Sequence, residues 1–163
     1  MARIDRTQFV TFLNVGTQSM PDYALVGQGI TSAPVNYQPQ TEEEQYIHQK
    51  SGTTSIVGYR PTMPIEMKMD TDDEVCMFVD GLRRERATLS DAETDIIMVY
   101  LYETPVGGEY PAEKQTVQVQ IDEFSGEPGA NPLNFTFLFQ GDAVQGMFDP
   151  TDATFTSESE GSS

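Results

Sequence analysis

Hydrophobic and polar residues alternate in several separate stretches of the chain, a pattern that predicts β-strands with one buried face. The clearest case is MPIEMKM at 63–69, where Met63, Ile65, Met67 and Met69 share one side. The run IIMVYLYE at 96–103 is continuously apolar, which is typical of a strand buried on both faces. The other predicted strands are 9–15, 53–59, 116–121 and 133–139, with a last short strand at 145–148 after a Gly141-Asp142 turn.

Helical periodicity is convincing in one place. Thr71 supplies an N-cap hydroxyl with Glu74 three residues later, and apolar residues then follow at helical spacing at 75, 78, 79 and 82. Arg83, Arg84 and Arg86 fall at the end of this helix, where cations complement unsatisfied carbonyls. The basic cluster is therefore explained without nucleic acid.

Three stretches give weaker signals. Residues 23–28 fit a short helical turn or a strand, and 31–37 is expected to be extended because Pro34 and Pro39 forbid a continuous helix. Residues 41–50 (TEEEQYIHQK) have too thin an apolar stripe for a core helix and fit a long loop or a strand.

The elements add up to one mainly β domain. Six or more strands and one helix predict a β-sandwich or barrel with a flanking α-helix, spanning residues 1–156. The serine-rich end, 157–163, is predicted to be a disordered tail or one that becomes ordered on assembly.

The net charge of the chain disfavours binding to nucleic acid and to anionic lipid. Nine Lys and Arg against 26 Asp and Glu give a formal charge of −17, which repels phosphate backbones and anionic lipid. Neither a membrane-length apolar run nor a secretory leader is present, so we expect synthesis in the cytoplasm and no membrane insertion.

Candidate chemistry is sparse. Lone His48 lies in a polar run, and Cys76 is expected to be a small buried hydrophobe because nothing nearby suggests a base. The acidic run at 70–74 lacks the glycine and the final glutamate of a calcium loop. We therefore predict no catalytic residue, no metal and no cofactor, and expect a protein that is not an enzyme.

The order of features resembles the major tail tube proteins of long-tailed bacteriophages, over most of the chain. No single motif is diagnostic, but their order and spacing together are similar. The motifs are NYQPQTEEE at 36–44, YIH at 46–48, GYRPT at 58–62, the helix at 73–82, YPAEK at 110–114, GD at 141–142 and GMF at 146–148.

This resemblance implies a structural virion protein. Subunits of such proteins close into hexameric rings with a continuous inner β-barrel, and the rings stack into a tube that conducts DNA and the tape measure protein during ejection. The implied partners are further copies of the chain, the tape measure protein, and the tail terminator and tail tip proteins. DNA is expected to pass through the lumen without specific binding.

The resemblance also implies two sets of functional residues. A loop between strands reaches a neighbouring subunit or ring, and 37–59 matches it, with candidates Tyr37, Thr41, Glu42, Glu43, Glu44, Tyr46, Ile47 and Tyr59. Acidic side chains facing the lumen would keep DNA from adhering, with candidates Glu66, Asp122 and Glu123.

Three alternatives remain open. The chain could be the inner tube of a contractile, sheathed particle, which shares the fold. A monomeric β-sandwich module that binds a carbohydrate or a protein at a cell surface is a second alternative, and size distinguishes it from a self-assembling subunit. An unrecognised hydrolase is a distant third.

Overall fold

A computed structural model describes residues 3–17, 19–27, 29–124 and 132–157. Within these ranges the chain forms ten strands, one α-helix and two short 3-10 helices at Arg6–Gln8 and Leu89–Ala92. The strands are β1 (Phe9–Asn14), β2 (Tyr23–Leu25), β3 (Ile30–Ser32), β4 (Pro39–Glu44), β5 (Thr53–Tyr59), β6 (Thr62–Lys68), β7 (Glu93–Tyr100), β8 (Tyr110–Phe124), β9 (Pro132–Asp149) and β10 (Thr154–Ser157). The helix α1 spans Glu74–Glu85. The predicted mainly β fold with one flanking helix is confirmed.

Eight strands form one antiparallel sheet that curls upon itself. Its order is β2-β1-β7-β8-β9-β6-β3, and β10 pairs with β9. The edge strands β2 and β3 are consecutive in the chain, and their short connection bonds to both sides of the sheet. Val26 N donates to Thr11 O and Lys68 N donates to Gly29 O, each at 2.8 Å. Each hydrogen bond continues the pairing of one edge strand, β2 with β1 and β3 with β6, and the sheet curls into a half-barrel.

The inner face of this curl holds the main core, which α1 closes. The fully buried side chains on the strands include Leu13, Met63, Ile65, Val117, Leu133, Phe135 and Phe137, and α1 contributes Val75, Cys76 and Val79. Burying each large apolar side chain stabilises the fold by about 1.5–3 kcal/mol. The alternation in 63–69 and the helical spacing at 75–82 therefore identified core positions correctly, and Cys76 is the buried hydrophobe that was predicted.

The outer face of the same sheet is divided along its strands. At one end Ile97, Val99, Ala112 and Phe148 form a smaller apolar cluster, against which Phe155 of β10 packs. Strand β7 contributes to both clusters, which confirms that the apolar run is buried on two faces. At the other end the outer face is polar.

The sequence placed the start of the helix two residues too early. The N-cap is Asp73, whose side chain accepts a hydrogen bond from Val75 N at 3.1 Å, and not Thr71. The reason is local: Asp70 Oδ1 accepts from Asp72 N and Asp70 O accepts from Asp73 N, so 70–73 forms a turn before the helix begins.

The predicted turn at Gly141-Asp142 is also wrong. Strand β9 continues through it and stays paired with β8, with a register shift between Thr116↔Gln140 and Lys114↔Val144. Gly141 takes a left-handed φ of 69°, which glycine adopts without strain, and Gln115 Nε2 donates to Gln140 O at 2.9 Å. The site is a bulge within one long strand, so 145–148 is not a separate element.

Other boundaries differ modestly from the predictions. Residues 23–28 and 41–50 each contain a strand, β2 and β4, and β7 ends at Tyr100 before the predicted Glu103. Strand β8 begins at Tyr110, earlier than predicted, and β10 has no counterpart among the predicted strands. Ser157 is a buried residue of β10, whereas 125–131 and 158–163 lie outside the described residues. In the part of the chain that is described, no helix is long and apolar enough to span a membrane.

Candidate assembly surfaces

Residues 37–59, called the arm below, form a hairpin separate from the main sheet. Strands β4 and β5 pair only with each other in the described part of the chain. The arm joins the body at its base, where Asn36 bridges to Thr62, and the rings of Tyr37 and Tyr59 meet edge to face at 6.3 Å. Its strands therefore receive no cover from the core that stabilises the rest of the chain.

Apolar side chains on the arm are open to solvent. Six of the fourteen exposed large hydrophobic residues in the described ranges lie on the arm, which concentrates them far above the rest of the surface. They are Tyr37, Tyr46, Ile47, Ile56, Val57 and Tyr59, each at least 56% exposed. Ile47, at the tip, is completely exposed. Exposed apolar side chains at this density are typical of a surface that contacts another molecule.

The turn at the tip is held by its own hydrogen bonds. Tyr46 N donates to Gln49 Oε1 at 3.0 Å, and Gln49 N donates to Tyr46 O at 2.9 Å. The Tyr46 hydroxyl donates to Glu44 Oε2 at 2.9 Å, and its ring stacks on His48. Ile47 is thereby left projecting between two ordered polar neighbours.

The two strands of the arm differ in charge. Glu42, Glu43 and Glu44 on β4 stand opposite Ser55, Thr54 and Thr53 on β5, which carries no charge. None of the three glutamates has an ion-pair partner within the described ranges. The arm thus combines an unneutralised acidic row with exposed apolar groups.

A second surface is the polar end of the sheet's outer face, called the open polar face below. Glu66 of β6 and Glu123 of β8 both stand opposite Asn134 of β9. Asp122, next to Glu123 at a bulge, accepts hydrogen bonds from Gln120 Nε2 at 2.7 Å and Thr136 Oγ1 at 2.6 Å. The three predicted lumen acids are therefore neighbours on one face.

Strand register shows which other residues share this face. The open polar face continues across β6, β9, β8 and β7. Thr136 of β9 pairs with Pro64 of β6 and with Gln120 of β8, and Gln118 of β8 pairs with Glu93 of β7. Lys68 lies on the same side of β6 as Glu66, so the face carries one cation beside four carboxylates. Its net charge is negative.

A third surface lies at the end of α1, where the arginines gather. Asp80 is 4% exposed in its side chain, and it binds Arg83 Nη2 at 2.9 Å and Arg84 Nε at 3.1 Å. The guanidinium carbon of Arg83 sits 3.7 Å from the centre of the Phe124 ring, and such a cation–π contact is attractive. These arginines were predicted at the helix end, but Asp80 was not predicted as their partner, although its i, i+3 and i, i+4 spacing is the signal.

Among the described residues, several ionisable groups have pKa values that burial raises. Burial raises the pKa of the Cys76 thiol and of Asp73. Burial, with the nearby Asp95 carboxylate, raises the pKa of Tyr23 to about 12. These groups belong to the core and the helix cap, and within the described ranges no three His, Cys, Asp or Glu side chains are placed to hold a metal ion.

The structure thus sorts the predicted residues into two places. The eight arm candidates all lie on the hairpin, and the three acids all lie on the open polar face. Ile56 and Val57 were missed as arm residues, although their β-branched side chains in a segment with no buried alternation are a usable signal.

Comparison with known proteins adds little beyond this geometry. No protein-family model matches the chain, and no curated protein matches it. A chain in the six-fold symmetrised cryo-EM structure of the anti-feeding prophage (AFP) baseplate is similar over 89% of this chain and 95% of its own length. The sequence identity is 10% and the TM-score is 0.48. A likeness of this strength does not establish a shared fold or a shared function.

Proposed function

We propose that this chain is a structural subunit of a phage-type tail tube. Its copies close into hexameric rings, the rings stack, and the resulting tube conducts DNA and the tape measure protein to the host during ejection. The tail terminator and tail tip proteins lie at the two ends of the tube, and the assembled protein is part of the virion.

The arm is the observation that carries this proposal. Six large apolar side chains of the arm are exposed to solvent, and no described residue of the arm belongs to either apolar cluster of the chain. Covering such groups gains about 25 cal/mol per Å² of buried apolar surface, and a neighbouring copy can supply that cover. A ring or stack repeats the same contact in every subunit, so one arm per chain suffices.

The open polar face supports the same proposal. Each phosphate neutralised by a lysine or arginine adds salt-dependent affinity for DNA, and this face offers one lysine among several carboxylates. A tube wall built from such faces repels the DNA backbone and lets it slide. The overall charge of −17 acts in the same direction.

Removal of the arm's apolar groups tests the proposal. The triple variant Ile47→Ser, Ile56→Thr and Val57→Thr should remain folded, because these side chains do not contribute to the core, but should not form rings or filaments. The matched control, Met20→Ser, Leu89→Ser and Val106→Ser, removes three exposed apolar side chains elsewhere and should assemble like the wild type. Analytical ultracentrifugation and negative-stain microscopy provide the measurement.

Two outcomes would contradict the proposal, and a third would narrow it. Wild-type protein that stays small at every concentration, even with tail tip proteins supplied, would not be a tube subunit. A small discrete protein that binds glycans or a cell-surface protein would instead fit a monomeric β-sandwich module. Assembly that depends on a sheath protein would identify the inner tube of a contractile particle.

A further inference from the structure

We infer that a groove beside the arginines at the end of α1 receives the tip of the arm from a second copy of this chain. The inference rests on the proposed function and deepens it by naming the receiving surface. The groove measures about 460 Å³ and is lined by Arg83, Arg86 and Ala87 from the helix end and by Val119, Ile121 and Phe124 of β8, with Gln120 between them. It is called the arginine groove below.

The arginine groove is the one place in the chain where cations cluster. Three of the nine Lys and Arg residues lie within four positions, at 83, 84 and 86. Asp80 forms ion pairs with Arg83 and Arg84, while Arg86 is exposed and has no ion pair within the described ranges. Glu85 adds a second carboxylate to this stretch but does not line the groove, whose charged lining residues are Arg83 and Arg86, so the groove itself is positively charged.

The positive charge of the groove favours binding of an acidic segment that has few cations. The arm presents Glu42, Glu43 and Glu44 consecutively on β4, without an ion-pair partner in the described part of the chain. Guanidinium and carboxylate groups form strong charge-assisted hydrogen bonds, often in pairs. The arm and the groove are thus complementary in charge.

The apolar groups match as well. The half-buried Ile121 and Phe124 give the groove an apolar lining above the buried Val119, with Arg83 over one face of the Phe124 ring. The arm places the completely exposed Ile47 three residues beyond Glu44. One inserted tip therefore satisfies both the arginines and the apolar lining. A volume of this order accommodates a few side chains.

We assign the inserted arm to another subunit. The arm leaves its own body beside Thr62, which pairs with Leu138 of β9. The groove runs from Val119, whose partner Phe137 adjoins Leu138, to Phe124, which pairs with Leu133 four residues farther from the base of the arm. No hydrogen bond or ion pair joins the arm to groove residues of the same chain within the described ranges.

A charge-reversal cycle tests the contact. Arg86→Glu and Glu43→Arg each replace attraction by repulsion and should raise the critical assembly concentration, by up to about fivefold for an exposed pair, whereas the double variant should return to within about twofold of the wild type. Arg3→Glu and Glu103→Arg are the matched controls, since they change net charge equally at other exposed positions and should leave assembly unchanged.

Crosslinking gives a geometric readout. Subunits carrying Ile47→Cys and subunits carrying Ala87→Cys are mixed, assembled and treated with a short bis-maleimide. A covalent dimer is expected. Subunits with Thr151→Cys in place of Ala87→Cys should give none, because Thr151 lies near the opposite end of the β8–β9 hairpin, about 30 Å of strand away. Native Cys76 is fully buried and should not react.

The outcomes separate the two ideas. Tubes that form without the Ile47–Ala87 crosslink, or a double reversal that restores nothing, would overturn the groove as receiver while leaving the tube subunit intact. Failure of the wild type to assemble would overturn both. Loss of duplex DNA binding in Arg86→Glu, with assembly unchanged, would make the arginines a nucleic-acid site and also overturn the inference.

Discussion

The charge of the open polar face leads to a quantitative prediction about DNA affinity and its dependence on salt. Glu66→Lys combined with Glu123→Lys reverses its charge, and the net charge of the chain rises from −17 to −13, since each reversal adds 2. Asp122 is left unchanged because it accepts hydrogen bonds from Gln120 and Thr136. Both reversed residues are exposed, so the fold should tolerate them.

The size of the effect follows from their positions. Glu66 and Glu123 flank Asn134, and directly opposite residues in a sheet lie about 5 Å apart, so the two new ammonium groups stand on the order of 10 Å apart. That separation lets each reach its own phosphate. Each contact adds a salt slope of about −0.9, so two add about −1.8 per subunit, and affinity should fall about 12-fold between 50 and 200 mM salt.

The assay is fluorescence anisotropy of a short labelled duplex, titrated with protein at several salt concentrations. The matched control, Glu103→Lys with Asp152→Lys, has the same net charge but reverses two exposed acids away from the face. We expect measurable binding with the face variant and much weaker binding with the control. Equal affinity and equal salt slope for both would refute the assignment of the face and leave net charge as the only factor.

Two further predictions concern stability. Asp73→Asn keeps an oxygen that can accept from Val75 N but removes a carboxyl group whose pKa is raised by burial. Because the folded wild type binds this proton more tightly than the unfolded chain, its free energy of unfolding should increase as pH falls from above the raised pKa toward 3.8. The variant should lack this increase in urea melts at neutral and acidic pH. An unchanged pH dependence would contradict this. Gly146→Ala should destabilise the chain by about 1–3 kcal/mol in thermal melts, because the new Cβ would overlap Thr156 O and lie 2.6 Å from the Phe155 ring, whereas Gly58→Ala meets nothing within 4 Å and should be nearly neutral.

Local pattern was enough to predict much of the core. In β6 the side chains of Met63, Ile65 and Met67 are buried and Glu66 and Lys68 are exposed, as a two-residue period requires. The helix was located because Val75 and Val79 recur at helical spacing. Both signals depend only on residues close in sequence, so they survive without knowledge of the tertiary fold.

The predictions failed where distant partners decide the structure. Glycine followed by aspartate fits a turn as well as a bulge, and only continued pairing of Val144 with Lys114 makes Gly141 a bulge. Thr71 looked like a better cap than Asp73 because the competing turn made by Asp70 depends on side-chain hydrogen bonds. Such choices differ by small free energies that composition does not encode.

The candidate surfaces divide in the same way. Alternation places Glu66 on the exposed side of its strand, but its neighbourhood with Glu123 requires the register of both strands against Asn134. The polar composition of 41–50 left loop and strand undecided, because β4 pairs with the uncharged β5 and buries no side chain in doing so. The buried Asp80 was overlooked, although its i, i+3 and i, i+4 spacing to Arg83 and Arg84 is visible in the sequence.

The separation of the arm from the core sets when it becomes rigid. A two-stranded hairpin on its own is marginally stable in water, and β4 and β5 have no third strand or apolar layer to support them. The body can thus fold without the arm. In the proposed tube, the arm would become fully ordered only when it docks on a neighbouring subunit, and each docking event would bear the entropic cost of ordering its two strands.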